Sequence, residues 1–218
     1  AYDSAMPVLD ATHRQTRWAF FRQWLKNPLG VAAVSPSSPQ LARQMIAALP
    51  PATRRVIELG GGTGAITAAL LEAGIAPRDL MVLELNEAMH QTLRQRFPDI
   101  RLHLADAAGV QQVAAESGFL GHGSVDAVVS GLGLLSMPRT LQRAILEASF
   151  ACLRPDGRFV QFTYGPASPV PRDLLDELGL DVRRASFTWW NVPPATVYVY
   201  ARWQSTAVLA TPMGPRAG

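Results

Sequence analysis

A short apolar run that ends in an acid is followed by alternating glycines. From Val56 to Gly64 the chain reads VIELGGGTG, with the acid at Glu58 and further glycines that include Gly60 and Gly62. Glycine permits positive φ angles and lets a ligand touch the backbone without an intervening Cβ. The pattern therefore predicts a buried strand, then a ligand-binding turn, then a helix.

The glycine spacing by itself fits two kinds of cofactor. Gly60, Gly62 and Ala65 satisfy a dinucleotide fingerprint, so a nicotinamide cofactor is one alternative. Glu58 lies two residues before the first glycine, where a carboxylate suits the cationic amino-acid end of a ligand better than a pyrophosphate. The acid at this position favours S-adenosylmethionine.

Two further acids support that cofactor. Glu84 ends the next predicted strand, where its carboxylate can accept both hydroxyls of a ribose, and Asp106 follows the third, where it can accept from an adenine amino group. Acid, glycines, acid and acid at successive strand ends resemble the class I methyltransferase pattern over residues 54–164. The resemblance implies a Rossmann-like fold with S-adenosylmethionine as the cofactor.

Strand-like and helix-like segments alternate through the chain. Short runs rich in β-branched and aliphatic residues predict strands at 55–59, 80–85, 100–104, 125–130 and 158–164. Helical patterns lie between them at 65–73, 87–96, 109–117 and 139–153, and Ser38-Pro39 opens another that runs to about Leu49. Such alternation predicts a mostly parallel sheet covered on both faces. Val182–Trp189 and Thr196–Trp203 add a predicted antiparallel hairpin, which completes a seven-stranded sheet.

Length and composition indicate one globular domain. The chain has 218 residues, of which 48% are hydrophobic and 17% charged, and its net charge of +3 does not indicate a nucleic-acid binder. No apolar run approaches the roughly 18–20 residues that span a bilayer, and no signal peptide is recognised. The four histidines have no metal-ligand spacing, so no metal is predicted. We expect an N-terminal unit at 1–38, a catalytic domain at 39–203 and a tail at 204–218.

Residues 10–27 are predicted to form an amphipathic helix. Its apolar arc contains Trp18, Phe21 and Trp24, and four basic residues lie in the same segment (Arg14, Arg17, Arg22 and Lys26). A basic helix with aromatic residues on its apolar face is typical of a membrane interface, where the cations meet anionic lipid. The alternative is a helix that packs on the domain.

Several segments in order along the chain resemble the bacterial phospholipid N-methyltransferases. They are 21–30, 33–38, 58–64, 130–132, 161–164 and 191–195, within a resemblance that spans residues 18 to about 203. The resemblance implies stepwise methylation of phosphatidylethanolamine towards phosphatidylcholine, on the cytoplasmic face of the plasma membrane. It also adds Ser37 and Ala107 to the cofactor-binding residues.

The same resemblance implies a set of acceptor-site residues. Ser130 and Gly131 would form the methyl-transfer loop, and the ring of Tyr164 would stabilise a methylated ammonium ion. Arg183 or Arg184, near the predicted hairpin, would bind the lipid phosphate. Trp189 or Trp190 would share the cation-stabilising role of Tyr164, and Asn191 would contact the head group. The 130–135 loop contains no acid, histidine or cysteine, so no strong base is evident there.

Two other functions remain open. An RNA adenine N6-methyltransferase would share the first half, but such enzymes place an Asn/Asp-Pro-Pro-aromatic motif after the fourth strand, and here Asn-x-Pro-Pro occurs only at 191–194. The missing base also allows a membrane-associated S-adenosylmethionine-binding protein without catalysis. We therefore expect a phospholipid and an anionic membrane surface as partners, and no nucleic acid.

Overall fold

The structure is a computed structural model that describes residues 39–164, 167–188 and 195–203. The predicted N-terminal helix and the tail after 203 lie outside these residues. So do Ser37, Trp189, Trp190 and Asn191.

In the part of the chain that the structure describes, seven strands form a single sheet. They are β1 (Val56–Leu59), β2 (Leu80–Glu84), β3 (Arg101–Leu104), β4 (Val125–Ser130), β5 (Leu153–Tyr164), β6 (Leu180–Thr188) and β7 (Ala195–Arg202). Their order is β3-β2-β1-β4-β5-β7-β6. The pairings from β3 to β5 are parallel, and β7 is antiparallel to both neighbours. The predicted Rossmann-like sheet and its terminal hairpin are confirmed.

The helices occupy the predicted intervals, with one addition. They are α1 (Pro39–Ala47), α2 (Ala65–Glu72), α3 (Glu87–Arg96), α4 (Val110–Glu116), α5 (Arg139–Cys152) and α6 (Arg172–Leu178). Helix α6 was not predicted, because its seven residues span too few turns to give a clear apolar period. Strand β5 begins five residues earlier than predicted, at Leu153.

The sheet has a buried core on each face. On one face Ile57, Leu83 and Phe159 pack with residues of α4, α5 and α6. On the other, Val56 and Val160 pack with residues of α1, α2 and α3. Because helices cover both faces of the sheet, the edges are where a ligand can bind. The carboxyl ends of the parallel strands meet at one of these edges. Within the described ranges, no helix has the length and apolarity to cross a membrane.

Candidate active site

The glycine turn adopts the backbone conformation that the sequence predicts. Gly60, Gly62 and Gly64 have φ angles of 73°, 51° and 82°. A Cβ added to Gly60 would lie 2.7 Å from the side chain of Leu132, whereas one added to Gly62 would meet nothing closer than 3.9 Å. The turn is thus closed on the side of the β4 loop and open at Gly62. That open backbone is a cradle that a ligand can fill.

Glu58 lies beneath this turn without exposure to solvent. Its Oε2 accepts a hydrogen bond of 2.7 Å from Thr67 Oγ1, and its Oε1 is buried with no partner among the described residues. Burial raises the pKa of Glu58 to about 8. A buried carboxyl with a free oxygen is suited to a cationic group, so this site fits the amino-acid end of S-adenosylmethionine.

Glu84 ends β2 and holds the glycine turn. Its Oε2 accepts from Gly62 N and its Oε1 from Asn86 N, both at 2.8 Å. These bonds fix the carboxylate in one orientation and still leave lone pairs for the ribose hydroxyls that the sequence assigns to it. The structure therefore brings the acid of β2 and the glycine turn of β1 into direct contact.

Asp106 follows β3 at the same edge. Its Oδ1 accepts a hydrogen bond of 2.9 Å from Ala108 N and so caps the short 3-10 helix Ala107–Gly109. The Ala107 side chain is buried in the core, which leaves only its backbone for a ligand. An N-cap role is compatible with the predicted adenine contact, because one carboxylate accepts several hydrogen bonds.

Exposed leucines at this edge were missed by the sequence reasoning. Leu85 and Leu104 lie at the ends of β2 and β3, and Leu135 lies in the loop after β4, with exposures of 66%, 48% and 46%. Large apolar side chains next to strand-end acids suit a planar base. The signal was present in the sequence, since Glu84 is followed directly by Leu85.

The loop after β4 contacts the glycine turn. Gly131 N donates to Leu59 O at 2.8 Å, and a Cβ on Gly131 would lie 2.8 Å from Gly60 O. Ser130 is fully buried, and its Oγ accepts from Leu132 N at 3.3 Å. The structure therefore places the predicted methyl-transfer loop against the predicted cofactor turn.

Tyr164 ends β5 at the same edge. Its ring makes an edge-to-face contact with Phe162, with centroids 5.5 Å apart. Burial raises the pKa of Tyr164 to about 12, so its phenol stays protonated at neutral pH. The side chain offers a neutral ring with a hydroxyl donor, not a base.

Arg183 is not brought to this edge. It pairs with Val199, which pairs with Val160, so Arg183 lies level with the middle of the sheet and four strands away from β1. Its side chain lines a cavity of about 650 Å³ at the opposite edge, together with Pro50 and Arg202. The predicted phosphate contact of Arg183 is thus separated from the glycine turn. No cluster of three metal-ligating side chains occurs among the described residues.

Comparison of sequences finds methyltransferases. The family described as a methyltransferase domain matches residues 56–157. An ornithine lipid N-methyltransferase of Singulisphaera acidiphila is 31% identical over 185 residues, which cover 82% of this chain and 92% of the relative. The ubiquinone/menaquinone biosynthesis C-methyltransferase UbiE of Methylobacterium nodulans is 37% identical over 121 residues, which cover 53% of this chain and 45% of that protein.

Comparison of structures agrees on the fold. A TehB-like SAM-dependent methyltransferase from Corynebacterium glutamicum superposes with a TM-score of 0.55 at 18% identity, covering 89% of this chain and 100% of that one. The glycopeptide N-methyltransferase MtfA complexed with S-adenosyl-L-methionine gives a TM-score of 0.56 at 15% identity, covering 76% and 94%. At these identities the likeness concerns the fold.

Proposed function

Because the chain belongs to the class I S-adenosylmethionine-dependent methyltransferases, we propose that it methylates the amine of phosphatidylethanolamine and of its mono- and dimethylated forms. The protein is an enzyme, and its cofactor is S-adenosylmethionine. One observation supports an amine as the methyl acceptor. The loop from Ser130 to Leu135 contacts the glycine turn and contains no ionisable side chain.

An uncharged loop suits an acceptor that reacts as a neutral nucleophile. When bound, the cofactor supplies a methyl group on a sulfonium, which a correctly aligned amine can displace. A lipid ammonium has a reference pKa near that of lysine, about 10, and a desolvated pocket lowers it towards the reactive free amine. The residues around Ser130 would favour that neutral form, because they exclude water without offering a counter-charge.

Three groups of this chain would then divide the work. Glu58 and Glu84 hold the cofactor, and the loop at Gly131 sets the distance between the glycine turn and the acceptor. The Tyr164 ring would stabilise the ammonium product, since an aromatic face attracts a cation. Its phenol remains neutral and does not serve as the base.

An ornithine lipid is the second candidate acceptor. The observation that favours it is the similarity to an ornithine lipid N-methyltransferase over 92% of that relative. The side chain of ornithine, like ethanolamine, carries a primary amine, so both acceptors suit the same uncharged loop. They differ in the anionic group that accompanies the amine, which is a phosphate in phosphatidylethanolamine.

The test is methyl transfer from labelled S-adenosylmethionine by the full chain. Separate reactions contain vesicles with phosphatidylethanolamine, vesicles with ornithine lipid, and RNA. We expect label in phosphatidylethanolamine and in its methylated forms. Label in ornithine lipid alone would mean that the acceptor is ornithine lipid and not phosphatidylethanolamine. Label in RNA would mean that the substrate is a nucleic acid and not a lipid. If the protein binds the cofactor but transfers no label in any reaction, it is a binding protein and the catalytic proposal is wrong.

The proposed membrane contact is through the N-terminal segment, with its aromatic residues and four cations. Each cation should add about 1 kcal/mol of attraction near an anionic surface. We expect the full chain to sediment with anionic vesicles at low salt, and to do so less as salt rises. Deletion of residues 1–26 should abolish sedimentation while methylation of a short-chain soluble lipid persists. A full chain that stays in the supernatant would contradict this proposal.

A further inference from the structure

Gln161 lies beneath the methyl-transfer loop and has no assigned role. It is in β5, fully buried, and in register with Ser130 at the end of β4. Residues directly opposite each other on neighbouring strands project to the same face of a sheet, so the two side chains share one face. Its Nε2 donates to Leu132 O at 2.7 Å and to Phe162 O at 2.6 Å. The amide therefore holds the loop that contacts Gly60.

The oxygen of the same amide lacks a partner. Gln161 Oε1 is buried and accepts no hydrogen bond from the described residues. Exchange of oxygen and nitrogen does not remove the problem, because the oxygen would then face two carbonyl oxygens. An unpaired buried acceptor is destabilising, so a donor is expected to bind there.

The position of this oxygen identifies the donor. It belongs to an amide that is bonded to Leu132 O, and Leu132 in turn contacts Gly60 of the cofactor turn. The oxygen has no contact with bulk solvent, so a donor to it would be a group enclosed by the protein. At the methyl-transfer position that group is the acceptor itself.

We propose that Gln161 Oε1 accepts a hydrogen bond from an N–H of the acceptor amine, and so makes the site selective for amines that still carry hydrogen. The inference rests on the proposed function. A free primary amine has two N–H bonds and a secondary amine has one, whereas a tertiary amine has none. A carbonyl at this point orients the nitrogen lone pair towards the methyl group without removing a proton. The third methylation loses this bond.

The test compares Gln161→Met with the unaltered enzyme on three acceptors, which are phosphatidylethanolamine and its mono- and dimethylated forms. Methionine keeps the length of the side chain and removes both the donor and the acceptor. We expect kcat/KM to fall about tenfold or more on the first two acceptors, as for one lost hydrogen bond. On the dimethylated lipid it should fall by a clearly smaller factor, which measures the loss of the loop anchor alone.

Gln142→Met is the matched control. Gln142 is also buried, at 4% exposure, and its Nε2 donates to Leu134 O at 2.7 Å while its Oε1 is unpartnered. It binds the far end of the loop and not the residue that contacts Gly60. We expect a similar drop in melting temperature for both variants, but a change in the ratio between acceptors only for Gln161→Met.

Three results would overturn the inference. An equal loss on all three acceptors would mean that Gln161 only anchors the loop or holds a trapped water. Normal rates on all three, with an unchanged ratio of kcat/KM between them, would mean that the oxygen does not contact the acceptor. An altered ratio in Gln142→Met as well would assign the effect to loop packing. If the unaltered enzyme methylates RNA, or methylates no acceptor at all, the proposed function itself is wrong, and not only the role of Gln161. If Gln161→Met does not fold, Gln161→Leu applies the same three-acceptor comparison, because leucine also removes the acceptor oxygen.

Discussion

The two edges of the sheet use polar groups in opposite ways. At the amino edge, the cavity of about 650 Å³ is lined by Arg154, Arg158, Arg183 and Arg202. Arg154 is paired with Asp126 and Asp156, and Arg202 donates to the carbonyl oxygens of Arg154 and Phe150. Much of this charge therefore fastens β5 to its neighbours.

The carboxyl edge contains buried acceptor oxygens without partners among the described residues. Glu58 and Gln161 each have a buried oxygen without a partner among the described residues, and a Cβ on Gly62 would meet no atom closer than 3.9 Å. Unpaired buried acceptors are costly unless a ligand completes them. The contrast teaches that the edge predicted to hold the cofactor is distinguished by buried carboxylate and amide oxygens without partners, and not by the cavity at the amino edge.

The largest expected effect tests the carboxyl edge at Gly60. Gly60→Val places a side chain into Leu132 and adds strain at a φ of 73°, so cofactor binding should fall below detection. Calorimetry with S-adenosylmethionine measures it. The matched control is Gly74→Val, which is strained at a φ of 95° but meets no atom within 4 Å. Both variants should melt at lower temperature, and near-normal cofactor affinity in Gly60→Val would contradict the assignment.

The next effect is a pH dependence at Glu58. Burial raises its pKa from 4.5 to about 8, so the folded apoprotein holds a proton that the unfolded chain has released. Stability of the apoprotein should therefore decline as pH rises from about 4.5 to 8. Cofactor affinity should change in the opposite direction, since a cation favours the ionised carboxylate, and should rise by at most about tenfold per pH unit between pH 6 and 8.

Glu58→Gln separates this linkage from general effects of pH. The amide cannot ionise, so the rise in cofactor affinity should flatten and the proton released on binding should disappear. Calorimetry in two buffers of different ionisation enthalpy counts that proton. An equal slope in Glu58→Gln would show that another group titrates.

The strand ends and the glycine conformation at the carboxyl edge were predictable from the sequence because their signals are local. Glycines with positive φ and acids at strand ends are tied to single positions, and Gly60, Glu58 and Glu84 lie where they were expected. The second role of Glu84, as acceptor for Gly62 N, was not predictable because it joins two strands 22 residues apart. Gln161 lies in one of the segments that carry the family resemblance. Its unpartnered oxygen was not predictable, because it depends on the three-dimensional position of Leu132.

The location of Arg183 was not predictable from the sequence, because it depends on strand order and not on a local signal. The family resemblance implies a phosphate contact for Arg183, whereas the structure has β6 at the sheet margin, where Arg183 lines the cavity of the amino edge. Strand order alone decides this separation. Helix α6, which packs against β6, was missed as well.

A moderate effect is expected at Tyr164. Tyr164→Ala removes the ring that packs on Phe162 and should lower lipid methylation about tenfold, while cofactor affinity changes less than twofold. Tyr164→Phe keeps the ring and should retain most of the activity, because the phenol is not ionised. Turnover on the three amine acceptors measures both variants. Unchanged turnover in Tyr164→Ala would contradict the proposal that the Tyr164 ring stabilises the ammonium product.

The smallest effect is expected at the amino edge, from Arg183→Ala. The side chain is exposed, and replacement of an exposed residue outside special contacts usually changes stability by less than about 0.5 kcal/mol. Because Arg183 lies four strands from β1 and faces the other edge, kcat/KM for the lipid should change less than twofold. Arg158→Ala, in the same cavity, is the control and should behave alike. A loss of more than fivefold in Arg183→Ala alone, with normal cofactor affinity, would restore the phosphate contact that the sequence predicts and would show that the acceptor lipid reaches across the sheet.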